Sequence, residues 1–244
     1  MFQQEEVMML EIKNYTKIYK GGKVAVDHLN LTIEDGDIYG FIGHNGAGKT
    51  TTIKAVAGIL DFDEGEILID GKSIKTQPIQ CKQSMAYIPD NPDIYEYLTG
   101  IKYLNFIADI YGVGRNERQE RIKKYGDMFE ITGNLGDLIS SYSHGMKQKL
   151  VLISALIHQP KLLILDEPFV GLDPKASLTL KNLMKEMCRE GSAIFFSTHV
   201  LEVAQKLCNK IAIIKNGHLV ISGDMDTVLG DSSLEDVFME VSEG

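Results

Sequence analysis

Short apolar runs recur along the chain. They are separated by turn residues and by stretches whose apolar positions fall three and four apart. The short runs predict strands at Met9–Lys13, Ala25–Ile33, Ile38–Ile42, Glu66–Asp70, Met85–Ile88, Leu162–Leu165, Ala193–Ser197, Ile211–Ile214 and Leu219–Ser222. Leu162–Leu165 and Ile194–Phe196 are apolar throughout, as strands of a parallel sheet covered on both faces should be. The early runs Val24–Ile33 and Glu66–Asp70 instead alternate and end at Asp35-Gly36 and Asp70-Gly71, which predicts an antiparallel side sheet. Between Pro89 and Gln159 the strand pattern stops. Helices are expected there at Ile101–Tyr111, Glu117–Glu130 and His144–His158, broken by Gly112, Gly114, Gly133 and Gly136. The tail, Ser233-Leu-Glu-Asp-Val-Phe-Met-Glu-Val, predicts a short amphipathic helix capped by Ser233. The expected architecture is α/β: a mostly parallel core with its side sheet (1–89 and 160–230), an inserted helical subdomain (90–159) and a tail helix (231–244).

Composition narrows what such a chain can do. Its 244 residues carry a formal net charge of −9, which argues against binding nucleic acid over the whole surface. Hydrophobic residues at 44% and charged residues at 24% are ordinary for a globular chain. The three cysteines, Cys81, Cys188 and Cys208, contain no Cys-x-x-Cys pair, which fits a reducing compartment better than a disulfide framework. The start, Met1-Phe-Gln-Gln-Glu-Glu, is acidic where a secretory leader would be basic and then apolar. No apolar run approaches the ~20 residues that span a bilayer. A cytoplasmic chain is expected, with any membrane attachment made through a partner.

Three strand ends carry the candidate chemistry. Gly43-His44-Asn45-Gly46-Ala47-Gly48-Lys49-Thr50 follows the strand Ile38–Ile42 and opens a helical stretch, Thr51–Ala57. Its glycines let backbone N–H groups curl around phosphate oxygens at a helix N-terminus. Lys49 supplies a cation to the β/γ-phosphates, and the Thr50 hydroxyl can complete a magnesium shell. The buried run Leu162–Leu165 ends in Asp166-Glu167, two carboxylates that are costly there without a cation. Ligands bind at the carboxyl ends of such strands, so Asp166 is read as holding magnesium and Glu167 as orienting or deprotonating an attacking water. An isolated Asp-Glu is otherwise a helix-start or surface pair. His199, two residues beyond Ala193–Ser197, can reach the same edge for the γ-phosphate or simply cap and pack.

With these in place, Ser143-His144-Gly145-Met146-Lys147-Gln148 resembles the signature of the ATP-binding cassette (ABC) ATPases, and Gly171-Leu172-Asp173-Pro174 resembles their D-loop. The resemblance runs nearly the whole chain and implies a P-loop NTPase core using ATP and Mg2+. It also implies a head-to-tail homodimer or heterodimer of cassettes. One subunit supplies Gly43–Thr51, Glu167 and His199; the other supplies Ser143 and Gly145, with Asp173 at the seam. The resemblance makes Tyr19 the aromatic that stacks on adenine, with Tyr15 as the second choice and a half-buried strand-end tyrosine as the plain reading. His144 stands where the family usually has glycine, and Asp90 in Tyr87-Ile-Pro89-Asp90 stands where it usually has glutamine. Asp90 can ligate magnesium or water as an oxygen donor, or be a solvated loop aspartate. Asp93–Thr99 and the tail look like the exporter branch, in which a helix of a separate membrane permease docks beside this loop. Ile94, Tyr95, Tyr97 and Leu98 then either meet that helix or pack the helical subdomain. The expected function is an ATP-hydrolysing transporter subunit, peripheral at the inner face of the membrane, with no nucleic-acid partner. The alternatives are a non-transport ABC ATPase or a weakly hydrolysing switch.

Overall fold

The structure is a computed structural model that describes residues 8–91 and 93–243, so Met1–Glu6 lie outside the described residues. In chain order the strands are β1 (Met8–Tyr19), β2 (Lys23–Glu34), β3 (Ile38–Ile42), β4 (Glu64–Ile69), β5 (Lys72–Ser73), β6 (Met85–Ile88), β7 (Leu162–Asp166), β8 (Ala193–Thr198), β9 (Lys210–Lys215) and β10 (His218–Asp224). The helices are α1 (Lys49–Val56), α2 (Pro78–Ser84), α3 (Gly100–Ile110), α4 (Arg115–Met128), α5 (His144–Leu156), α6 (Pro174–Arg189), α7 (Leu201–Leu207), α8 (Met225–Leu229) and α9 (Leu234–Glu243). Two sheets form, ordered β2-β1-β4-β5 and β10-β9-β3-β8-β7-β6. The first is antiparallel throughout, and the second is parallel except for its β9–β10 edge pair. The fold is therefore α/β with the expected parallel core and antiparallel side sheet.

The period-two pleat explains why β7 and β8 are apolar at every position. Leu163, Leu165, Ile194 and Phe196 point into a core shared with the helices from 100 to 207, whereas Leu162, Ile164, Ala193 and Phe195 point into a core shared with α1 and the side sheet. All eight are 0% exposed. Each strand thus joins two cores, and its polar groups can emerge only at its end.

Some boundaries differ from the sequence expectation for local reasons. β1 runs on from Lys13 to Tyr19 through Asn14, which takes φ 49 at a register shift and exchanges side-chain hydrogen bonds with Asn30. A bulge residue that looks like a turn residue hid the continuation. α1 starts at Lys49, two residues before the predicted stretch, because the phosphate loop feeds straight into the helix. α2, α6, α7 and α8 were not expected. Among the described residues, no helix is long and apolar enough to cross a membrane.

Candidate active site

The loop after β3 holds its shape because two of its glycines have no room for a side chain. A Cβ on Gly43 would lie 2.5 Å from the Ile214 carbonyl oxygen. Gly48 combines φ 114 with a Cβ position 2.8 Å from the Ala25 carbonyl oxygen, so only glycine fits without strain. The Lys49 ammonium is buried and donates to the carbonyl oxygens of Gly43 at 2.7 Å and His44 at 3.3 Å. Burial pulls the lysine below its ordinary pKa, while the charges of Glu167 and Asp166 oppose that shift. A desolvated ammonium held only by carbonyls gains strongly from an anionic ligand.

At the end of β7 the Asp166 carboxylate is 1% exposed. The Ser197 hydroxyl donates to Oδ1 at 2.5 Å, and Oδ2 has no partner among the described residues. The next residue, Glu167, sits in the left-handed region at φ 49, and its N–H donates to Ser197 Oγ at 3.1 Å. A non-glycine residue in that region is held against its own preference. Here the result is that Glu167 lines the cleft beside Lys49 while Asp166 stays beneath it. His199 Nδ1 lies 2.9 Å from Glu167 Oε1. Ser197 therefore touches both acidic residues from β8, through the Asp166 carboxylate and the Glu167 backbone N–H. Sequence reasoning passed over it, and the signal was its place at a buried strand end beside two acids.

Of these groups, Gly48, Lys49 and Glu167 border an open cleft of about 540 Å³, whereas Asp166 and His199 do not line it. Tyr19, Asn45, Gly46, Gly48, Lys49, Thr50, Thr51, Asp90 and Glu167 line it, as do Lys23, Val24, Ala25 and Asn216, which the sequence did not single out. Gly43 and Ala47 are buried under the loop, and the His44 side chain turns away toward α9. Tyr19 is 40% exposed with its hydroxyl 3.3 Å from Thr51 Oγ1, whereas Tyr15 is fully buried and unable to offer a face. Burial raises the Tyr87 phenol, with Asp166 and Asp90 adding to the shift, and its hydroxyl has no partner among the described residues.

Ser143 and Gly145 do not line this cleft. Ser143 caps α5, accepting from the Met146 N–H at 3.3 Å. Asp173 caps α6 through the Ala176 N–H at 2.8 Å and pairs with Lys149 at 2.7 Å, a bond that holds its carboxyl below the usual range. His144 covers the D-loop glycine, since a Cβ on Gly171 would meet the imidazole at 2.7 Å. The signature and D-loop thus form one packed surface, separate from the cleft.

The ABC transporter family profile matches residues 26–170. Over 240 residues the chain is 32% identical to the ABC-type transporter ATP-binding protein EcsA of Bacillus subtilis (strain 168), covering 96% of this chain and 97% of that one. It is 38% identical over 214 residues to the uncharacterized ABC transporter ATP-binding protein YhcH of the same organism, covering 87% of this chain and 68% of that one. A solved structure of an ATP-binding subunit of an ABC transporter superposes with TM-score 0.92 at 32% identity, covering 96% of this chain and 99% of that one. The chain belongs to the ABC transporter family. Within it, this is an ATP-binding subunit and an ATPase.

Proposed function

We propose that ATP fills the cleft with its phosphates on Gly43–Thr51 and its adenine against Tyr19, and that a second cassette completes the site. The carrying observation is Asp166: its Oδ2 is buried with no partner among the described residues, near enough for its charge to act on Lys49. Such an atom suits a cation shell, and the Thr50 hydroxyl and Asp90 carboxylate offer further oxygen donors at the cleft. Thr50, Asp166 and Asp90 would hold a magnesium ion there, which would supply charge neutralisation at the β/γ-phosphates.

Glu167 then orients or deprotonates the attacking water, with His199 fixing its carboxylate and reaching the γ-phosphate. Ser143 and Gly145 serve the partner's ATP. Their position off the chain's own cleft supports a head-to-tail homodimer or heterodimer, with Asp173 at the seam. Closure before hydrolysis and opening after it drive a separate membrane permease in the export direction. The chain is cytoplasmic and held at the inner face of the membrane through that permease. Tyr95 and Tyr97, 47% and 75% exposed, support a docking surface beside Asp90, while Ile94 and Leu98 pack into the helical subdomain. Affinity purification from detergent-solubilised membranes tests this reading. Recovery of a polytopic membrane protein is expected, and recovery of ribosomes or DNA instead would overturn it.

A further inference from the structure

The loop histidine His44 does something the phosphate-binding role does not use. Its Nε2 lies 3.1 Å from Ser242 Oγ, and its ring sits 4.7 Å from the Phe238 ring, both on α9. The Ser242 hydroxyl donates to the Phe238 carbonyl at 2.7 Å, so it accepts from His44 and leaves Nε2 as the donor. The main chain of His44 meanwhile serves the loop: its carbonyl oxygen accepts from Lys49 Nζ at 3.3 Å and from the Ala47 N–H at 3.1 Å.

α9 is itself held at both ends. Leu234 is fully buried, and its N–H donates to Gln205 Oε1 at 3.1 Å on α7, the helix that begins two residues after His199. Val237, Phe238 and Val241 continue the stripe, half-buried against the same core. At the far end Lys215 donates to the Val241 and Ser242 carbonyl oxygens at 3.0 and 3.1 Å, neutralising the helix C-terminus next to Asn216 of the cleft wall.

We propose that α9 is a positioning element of the ATPase site. Phe238 and Ser242 fix the His44 side chain, and His44 in turn fixes the carbonyl on which the Lys49 ammonium waits for phosphate. ATP affinity then depends on docking of the tail. The proposal rests on Gly43–Thr51 being the ATP loop.

The test is steady-state ATPase kinetics on the full chain with His44→Ala, Phe238→Ala and the double variant. Each single change is expected to raise KM for ATP about threefold to tenfold, the size of one lost aromatic contact, with kcat changed less than about twofold. The double variant should be no worse than His44→Ala alone, because both remove one interaction. His44→Gln, which still offers a donor to Ser242, should fall nearer the parent. Glu235→Gln, on the exposed face of α9, is the control at parental KM. A parental KM in His44→Ala, or effects that simply multiply in the double variant, would overturn the proposal. Lys49→Ala run alongside separates the two levels. Lost ATP binding there with a parental His44→Ala removes only this inference, whereas parental binding by Lys49→Ala removes the loop assignment and this inference with it.

Discussion

The cleft at the carboxyl ends of β3, β7 and β8 and the signature surface at the start of α5 carry polar groups in opposite states. At the cleft they are waiting: beneath it Asp166 Oδ2 has no partner among the described residues, and Lys49 rests on two carbonyl oxygens. On the signature surface they are already used. Ser143 caps its own helix, and Asp173 both caps α6 and binds Lys149. The contrast follows from position. Strands covered on both faces can release polar groups only at their ends, where little else reaches them, while helix starts on the surface satisfy themselves locally. On the proposed reading, the first region receives ATP within a single chain, and the second would meet a ligand only when a second cassette brings one to it.

The largest effect should come from Glu167→Gln, which keeps shape and hydrogen bonding to His199 but removes the base. Turnover is expected to fall about 10²–10⁴-fold with ATP binding retained, as measured by phosphate release against nucleotide titration. Lys49→Ala should weaken ATP binding at least about 100-fold in a fluorescence titration, since two or more charge-assisted hydrogen bonds to phosphate are lost. Ser143→Ala should leave binding by the loop intact and reduce turnover about tenfold, the worth of one hydrogen bond to a charged group. If Ser143→Ala instead weakened binding as much as Lys49→Ala, the two regions would not be separable.

The smallest effect concerns the helical subdomain and is one of pH. His158 stacks on Tyr111 with centroids 3.6 Å apart, and its Nε2 lies 3.1 Å from the Met85 carbonyl oxygen, so Nε2 carries the proton. Nδ1 is buried without a partner among the described residues, and burial lowers the imidazole pKa. A histidine whose folded pKa is depressed costs nothing above its unfolded value of about 6.5, and it erodes stability as pH falls below that value. The stability gap between parent and His158→Gln should therefore narrow between about pH 7.5 and pH 5.5 in urea melts. A constant gap would mean that the imidazole does not titrate on unfolding.

Much of this was readable from residue order. The glycine-spaced run before Lys49, two acids closing an apolar strand, and the change from strand pattern to helix pattern at Pro89 are all local signals. α6 departs from the sequence expectation, although Asp173-Pro174 is a capped helix start. The role of Ser197 needed the pairing of β7 with β8, which sets Asp166 opposite it. The choice between Tyr19 and Tyr15 turned on burial across the side sheet, and the link from His44 to α9 joins residues 198 apart in the chain. Such contacts depend on register and tertiary packing, which periodicity does not encode.

The most direct test of the split between a receiving cleft and a donating surface is the mass of Glu167→Gln with saturating Mg-ATP, measured by sedimentation equilibrium. The expected result is a dimer that forms only with ATP and is lost when Ser143→Arg is added, although the loop still binds nucleotide. A monomer with ATP bound, or a dimer indifferent to Ser143→Arg, would contradict it.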